Sequence, residues 1–420
     1  MSALRVLLVV ENLPVPMDRR VWSEARSLTA AGYEVTVVCP KGRERDAAGV
    51  EVRDGVAIHR FESAPASGSA ISYLREYVVA ALRICVMARR LSRERPFDVI
   101  HVANPPDVLV PWIRLTCARG ASVVYDQHDA FPELFLTRFG GHRRLLLRAV
   151  RAFEQLSYRL SSVVIVTNES FRSLAESRGG RSPSDVFVVR NAPDLRRFEA
   201  RDPDLALRRG KKHLIAYAGV MGPQDGVSRA LEALAQLGDR RSDWHAAFAG
   251  DGDCLEELRG QARELGLESR VDFLGWLSSP QLAQLLATAD VCIAPEPPSP
   301  INDISTLVKI AEYMAAGKPV VCQDLPESRV TAGDAAIYAG DGPASYAEAL
   351  DALLQDADLR RALGEAARLR VARSFTWERS ERELLAAYER VVARRGGLVS
   401  RRSQRARVGL RAWAEHLGRE

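Results

Sequence analysis

In NDISTLVKIAEYMAAGKPVV, residues 302–321, three polar side chains, Ser305, Lys309 and Glu312, recur at helical spacing and stack on one side. At 100° per residue, Leu307, Ile310, Ala311 and Met314 take the opposite side. A lysine and a glutamate so placed have two uses. Facing water they form a surface ion pair, a contact that contributes at most about 1 kcal/mol. Facing a ligand they bring it a cation and a hydrogen-bond acceptor.

The surrounding elements favour the ligand. Short β-branched runs alternate with helix-length amphipathic segments. In the first half the expected strands are LRVLLVV, YEVTVVCP, DVIHVANP, SVVYDQH, SVVIVTN and VFVVRN, with helices from Arg19 to Ala31 and from Tyr73 to Arg93 among those between them. In the second half they are HLIAYAG, WHAAFAG, RVDFLG, DVCIAP and PVVCQ. Strands this apolar are covered on both faces, which implies parallel sheets wrapped by helices. The rhythm pauses at residues 194–212, a charged stretch without a strand, where a domain boundary is expected. Two doubly wound, Rossmann-like α/β domains facing each other across a cleft is the architecture this implies. Ligands of such sheets bind outside the carboxyl ends of the strands. DVCIAP ends a strand, EPPSPINDIS reads as a loop, and a helix is expected to begin near Ser305 with Ser305 or Asp303 as its N-cap. The polar stripe then starts beside a helix N-terminus, which suits an anion.

Composition fits this reading. At 420 residues the chain is long enough for two domains of about 200 residues each. Its 47% hydrophobic and 27% charged residues are ordinary for a globular protein, and the net charge of +5 gathers in a basic C-terminal end. No run of 18 apolar residues occurs, and MSALRVLLVV reads as a strand, not as a signal peptide. The six cysteines form no CxxC pair and lie mostly in apolar runs, as buried thiols in a reducing cytosol would.

Several stretches together resemble the GT-B retaining glycosyltransferases of the family 4 type. They are ENLPVPMDRRVWSEARSLTAAGYEVTVVCPKG, VIHVANPPD, YDQHDAFPELF and VTNESFRSLAESRG in the first half, then AYAGVMGPQDGV, FAGDGDCLEEL, VDFLGWLS and STLVKIAEYMAAGKPVVCQDLPESR. The resemblance implies an acceptor-side domain over 1–195 and a nucleotide-sugar donor-binding domain over 196–395, the last helix being free to cross back to the first. It implies transfer of a hexose from a nucleotide sugar, UDP-linked, to a cell-surface polysaccharide or glycolipid precursor, with retention and without a metal or other cofactor. Glu312 would accept hydrogen bonds from the nucleotide ribose, and Lys309 would stabilise the departing diphosphate. Ser305, Thr306, Gly219 and Gly250 would line the donor site, joined by Arg19 or Arg20. His128 would contact the donor sugar, against the plainer reading of a packed loop histidine bonded to Asp126 or Asp129.

The chain departs from the family pattern in three places. Ile304 stands where the first glutamate of a Glu-x7-Glu motif is usual, and the adjacent Asp303 is the candidate substitute. Val220 and Asp225 stand where an arginine and a lysine usually grip phosphate. These departures keep a catalytically silent nucleotide-sugar-binding subunit open as an alternative. A sugar-nucleotide epimerase lacks its paired carboxylates. The Asp251-x-Asp253 of GDGD reads as a tight βα turn in preference to a metal site, since Leu255 also breaks the GxGxxG pattern. Nucleic-acid binding has only an arginine-rich tail without interleaved aromatics in its favour. In that tail, residues 396–420, Val399, Ala406, Leu410, Trp413 and Leu417 align along one helical edge among arginines. This is the pattern of a helix lying in an anionic membrane interface, and places the protein at the inner face of the cell membrane.

Overall fold

The structure is a computed structural model that describes residues 3–42, 49–62, 70–118, 120–140, 144–199 and 201–395. The basic tail and the helix expected there lie outside the described residues. The chain divides into two compact units that interleave along it, where the sequence suggested contiguous ranges.

The first unit takes residues up to His128, then Val150–Val189, then 381–395. Its strands are β1 (Arg5–Val9), β2 (Glu34–Pro40), β3 (Val50–Arg53), β4 (Val56–Phe61), β5 (Val99–Ala103), β6 (Ser122–Gln127), β7 (Val163–Val166) and β8 (Val186–Val188). They form one sheet in the order β3-β4-β2-β1-β5-β6-β7-β8. The helices of this part of the chain are α1 (Arg19–Ala30), α2 (Ala70–Glu94), α3 (Leu109–Thr116), α4 (Phe131–Phe139), α5 (Arg144–Leu160) and α6 (Glu169–Ser177), of which α4 and the start of α5, up to Ala149, group with the second unit. Every residue of β5, β6 and β7 is buried, as strands covered on both faces must be.

One edge departs from the expected all-parallel sheet. Strands β3 and β4 pair antiparallel, with Asp54 and Gly55 between them at φ of 48° and 80°. An Asp-Gly pair with both φ positive is the two-residue hairpin turn that suits strand twist, and it was the overlooked signal for this hairpin.

The second unit takes residues 129–149 and 190–380. Its strands are β9 (His213–Ala218), β10 (Trp244–Ala249), β11 (Val271–Gly275), β12 (Val291–Ala294), β13 (Val320–Gln323) and β14 (Ala336–Ala339), ordered β11-β10-β9-β12-β13-β14. All pairings are parallel. The short β14, AIYA, is an additional strand that the sequence reading missed. The helices are α7 (Val227–Arg240), α8 (Leu255–Glu264), α9 (Ser279–Thr288), α10 (Val308–Ala315), α11 (Pro326–Ala332), α12 (Pro343–Gln355) and α13 (Ala357–Ser374). Alternation along the strands divides the core into two layers. Trp244, Ala246 and Phe248 of β10 pack with Leu231, Leu234 and Leu350, whereas Ala247 and Ala249 pack on the other face with Ile310, Tyr313 and Met314.

Each sheet has one point where the winding reverses, between β1 and β5 in the first unit and between β9 and β12 in the second. There the loops at the carboxyl ends part, which leaves a crevice for ligands. In the second unit the turns after β9 and β10 approach closely. A Cβ built on Gly250, whose φ is +136°, would overlap the carbonyl oxygen of Gly219. Gly250→Ala is therefore expected to lower unfolding free energy by on the order of 3 kcal/mol in urea denaturation, from strain and overlap together. A wild-type midpoint would show that the turn relaxes freely.

Candidate active site

At the β9–β12 reversal the chain leaves β12, runs through EPPSPINDISTL and enters α10 at Val308, three residues later than expected. The position before the helix is Leu307, in extended conformation, and no side chain caps it. Neither Ser305 nor Asp303 is therefore the cap. The Thr306 hydroxyl donates to Glu327 over 3.3 Å, and Leu307 packs on the core, so both residues are held outside the helix. Ser305 is half-buried beside them. Ile310, Ala311, Tyr313 and Met314 are buried, and the Tyr313 hydroxyl meets the backbone of Ala218, accepting from its N–H at 2.7 Å. That bond seats α10 against the end of β9.

Lys309 is thereby turned over the same strand end. Its Nζ donates to the Tyr217 hydroxyl at 2.9 Å and lies 4.4 Å from the centre of that ring. It pairs with Glu296 and lies 3.6 Å from Asp225 Oδ1. A Cβ on Gly219 would stand 2.7 Å from Nζ, so the glycine makes room for the ammonium. Glu312 does not pair with Lys309 but with Arg197, at 3.3 Å. Both stripe residues are largely enclosed, at 12% and 15% side-chain exposure, and the solvated ion pair is ruled out.

The position of Lys309 answers a question left by the departures from the family pattern. Val220 is exposed, but Asp225, which stands where a lysine is usual, touches the ammonium sent in from α10. An ammonium thus lies beside this position, carried by α10. Arg138 on α4 also reaches this loop, bonding Gln224 at 3.4 Å. No ion pair joins Asp303 to Lys309; the buried acid beside the lysine is Glu296, eight residues before Ile304. Burial opposes the lysine's charge, yet Glu296, Tyr217 and Asp225 hold its pKa well above the ordinary value. Burial pushes the Asp225 and Glu296 carboxyls upward, and the attraction of Lys309 offsets this only in part. One cation facing two largely enclosed carboxylates is a site of marginal charge balance.

The reversal in the first unit holds a second charged network. Asp18 caps α1, and Arg20 turns inward. Its Nη2 donates to Asp126 Oδ1 at 2.7 Å, its Nη1 to the Val189 carbonyl at 2.5 Å, and its Nε lies 3.1 Å from Glu24. The guanidinium of Arg20 is thus engaged inside its own unit, whereas Arg19, the other arginine expected at the donor, is exposed. His128 follows β6, its backbone N–H donating to Asn104 Oδ1 at 2.7 Å and its Nε2 lying 2.6 Å from Asp126 Oδ2. The plain reading of His128, a histidine bonded to Asp126, is thus fulfilled, and it leaves Nδ1 as the nitrogen for any further contact. Burial alone would raise the Asp126 carboxyl, but Arg20 and His128 hold it well below the usual range, whereas burial drives Glu24 up.

Glu24, His101 and Asp126 bring three ligand-type atoms within 4.8 Å of one another. The Arg20 guanidinium already occupies that space, and a dication against it would be repelled. Asp251 and Asp253 are exposed in the turn after β10, with Asp251 Oδ1 accepting from the Gly252 N–H at 2.8 Å, as a tight βα turn requires. Sequence reasoning missed Glu296, Tyr217, Arg197, Glu24 and His101. Of these, Glu296 carried a usable signal, an acid placed directly after an apolar strand.

A family model described as a glycosyl transferase 4-like domain matches residues 17–192, and one described as glycosyl transferases group 1 matches residues 212–356. The chain belongs to these family 4 type glycosyltransferases, and its two parallel-sheet domains have the GT-B fold. It is 25% identical to a glycogen synthase of Mycobacterium tuberculosis, over 89% of this chain and 92% of that protein. It is 26% identical to a phosphatidyl-myo-inositol mannosyltransferase of Mycobacterium leprae, over 90% and 94%. Among solved structures it resembles the sucrose-phosphate synthase of Thermosynechococcus elongatus, with a TM-score of 0.76 and 18% identity over 93% of this chain and 99% of that one. Anabaena HepE in complex with UDP and glucose gives a TM-score of 0.70 at 17% identity, over 92% and 99%.

Removing one partner of a buried pair strands the other charge, at a cost of about 3 kcal/mol or more. Glu296→Gln should therefore destabilise the protein by roughly that amount at pH 7. Asp225→Asn should cost clearly less, because Asp225 is the more distant partner and its own burial penalty is relieved. Equal losses in chemical denaturation would contradict this ordering.

Proposed function

We propose that this glycosyltransferase moves a hexose from a UDP-linked donor to a saccharide or lipid-linked precursor of cell-surface polysaccharide or glycolipid, retaining the anomeric configuration. The observation that carries the reading is the Lys309 ammonium, held at the winding reversal beside an uncapped helix start. Breaking a sugar–phosphate bond leaves negative charge on the departing diphosphate, and a preorganised cation there lowers the barrier by about 3 kcal/mol. Glu312, fixed by Arg197, serves the ribose; Gly219, Gly250, Ser305 and Thr306 shape the donor pocket. His128 meets the sugar. The leaving diphosphate itself accepts the acceptor's proton, so no protein base and no metal are required. Support for the donor class comes from Anabaena HepE, which is known in complex with UDP-glucose.

We propose that the protein works in the cytoplasm, peripheral on the inner face of the cell membrane. Its six cysteines are free, in keeping with a reducing compartment, and no described helix is long and apolar enough to cross a membrane. The alternative, a silent nucleotide-sugar-binding subunit, draws on the two carboxylates at Lys309, which together outweigh its charge.

A panel of nucleotide sugars with the purified protein separates the two. Slow release of free UDP from one donor is expected, faster with acceptor. Lys309→Ala should depress turnover about 100-fold, measured well below a melting temperature that is itself lowered because Glu296 and Asp225 lose their cation. His128→Ala should lose transfer and still bind UDP. Binding without turnover across the panel would establish the silent subunit instead.

A further inference from the structure

In the first unit the crossovers β4-α2-β5, β5-α3-β6 and β6-α5-β7 all step in one direction along the sheet. Right-handed connections put such helices on one face, α1 lying on the other because β1 to β2 steps back. Their neighbourhood is visible directly. Helix α2 packs on α3, and the Ser157 hydroxyl of α5 donates to the Asp107 carbonyl just ahead of α3, at 2.7 Å.

The outer surface of this helical layer is unusual in two respects. It leaves large apolar side chains in solvent. Val78, Leu82 and Val86 form one i, i+4 line along α2, exposed at 40%, 51% and 70%, and Leu115 on α3 is 78% exposed. Phe153 and Leu156 of α5 add to them. Among the other exposed positions are six arginines, Arg83, Arg89, Arg93, Arg114, Arg151 and Arg159. Against them, the described side chains of the three helices include only two acids. Glu94 is already paired with Arg90, and Glu154 is buried against Arg178. A solvated helix surface would mix both signs.

We propose that this face docks on an anionic membrane surface, the arginines meeting lipid phosphates and the apolar side chains entering the headgroup boundary. Charge decides between the possible occupants. A second copy seated face to face would set arginine on arginine. The chain's own residues 396–420 carry six arginines against two glutamates and would be repelled. An acidic protein would satisfy the arginines, but the apolar side chains top three separate helices instead of lining one groove, which suits a flat, fluid surface.

Full-length protein is sedimented with vesicles of phosphatidylcholine alone or with phosphatidylglycerol added. It should partition onto the anionic vesicles only, and be released by about 0.5 M salt. Val86→Glu with Leu115→Glu, both at well-exposed positions, should reduce partitioning at least tenfold with unchanged circular dichroism. Arg89→Gln with Arg93→Gln should reduce it about fivefold per arginine. Partitioning like the wild type in both double variants would overturn the proposal, as would a changed oligomeric state of the glutamate variant with unaltered vesicle binding. The assay contains no sugar nucleotide, so its failure leaves the transfer reading standing.

Discussion

An ammonium enclosed by protein is stable only if something nearby carries the opposite charge. For Lys309 that requirement reaches far into the second unit. Desolvation works against the charge, and the attraction of Glu296 and Asp225 in a low-dielectric crevice restores it. The ammonium also needs space, which explains a glycine at 219, and a hydroxyl, which explains the otherwise buried Tyr217. Tyr313 completes the arrangement by tying α10 to the end of β9. These features converge on one atom, Nζ, and the loops after β9 and β12 are arranged around it.

The first unit solves a similar problem with different residues. Arg20 is surrounded by Asp126 and Glu24, with His101 Nε2 3.3 Å from Asp126 Oδ2, and His128 borders the network. Both clusters lie at the carboxyl end of a parallel sheet where the winding reverses. Such reversals are where open α/β sheets receive their ligands. The difference lies in completeness. Arg20 is satisfied on all sides, as a structural brace should be, whereas Lys309 faces carboxylates whose protonation burial favours, so its balance is open to an incoming anion.

How much of this was legible in the sequence depended on the range of the interaction. Apolar runs such as VVIV and VCIA announce buried parallel strands by themselves, because burial on both faces leaves a local mark. Lys309 and Glu312 were visible for the same reason, through helical spacing. Their partners were not. Glu296 and Asp225 lie 13 and 84 residues away along the chain, and only the fold brings them to the lysine. Asp225 was noticed as a missing cation, yet its present role is to contact the cation supplied from elsewhere. The late start of α10 was likewise illegible, since Ser305 and Asp303 are good caps by type, and tertiary contacts of Thr306 and Leu307 hold the chain extended. Glu24 and His101 sit in segments read simply as helix and strand.

The central claim is that Lys309 is the cation that receives the donor's phosphates. A crystal structure with UDP bound tests it most directly. The account predicts a phosphate oxygen within about 3–4 Å of Lys309 Nζ, the distance of a charge-assisted contact, with Asp225 turned away to admit it. UDP bound with its phosphates remote from Lys309, and the lysine still paired to Glu296 and Asp225 as it is without ligand, would contradict it.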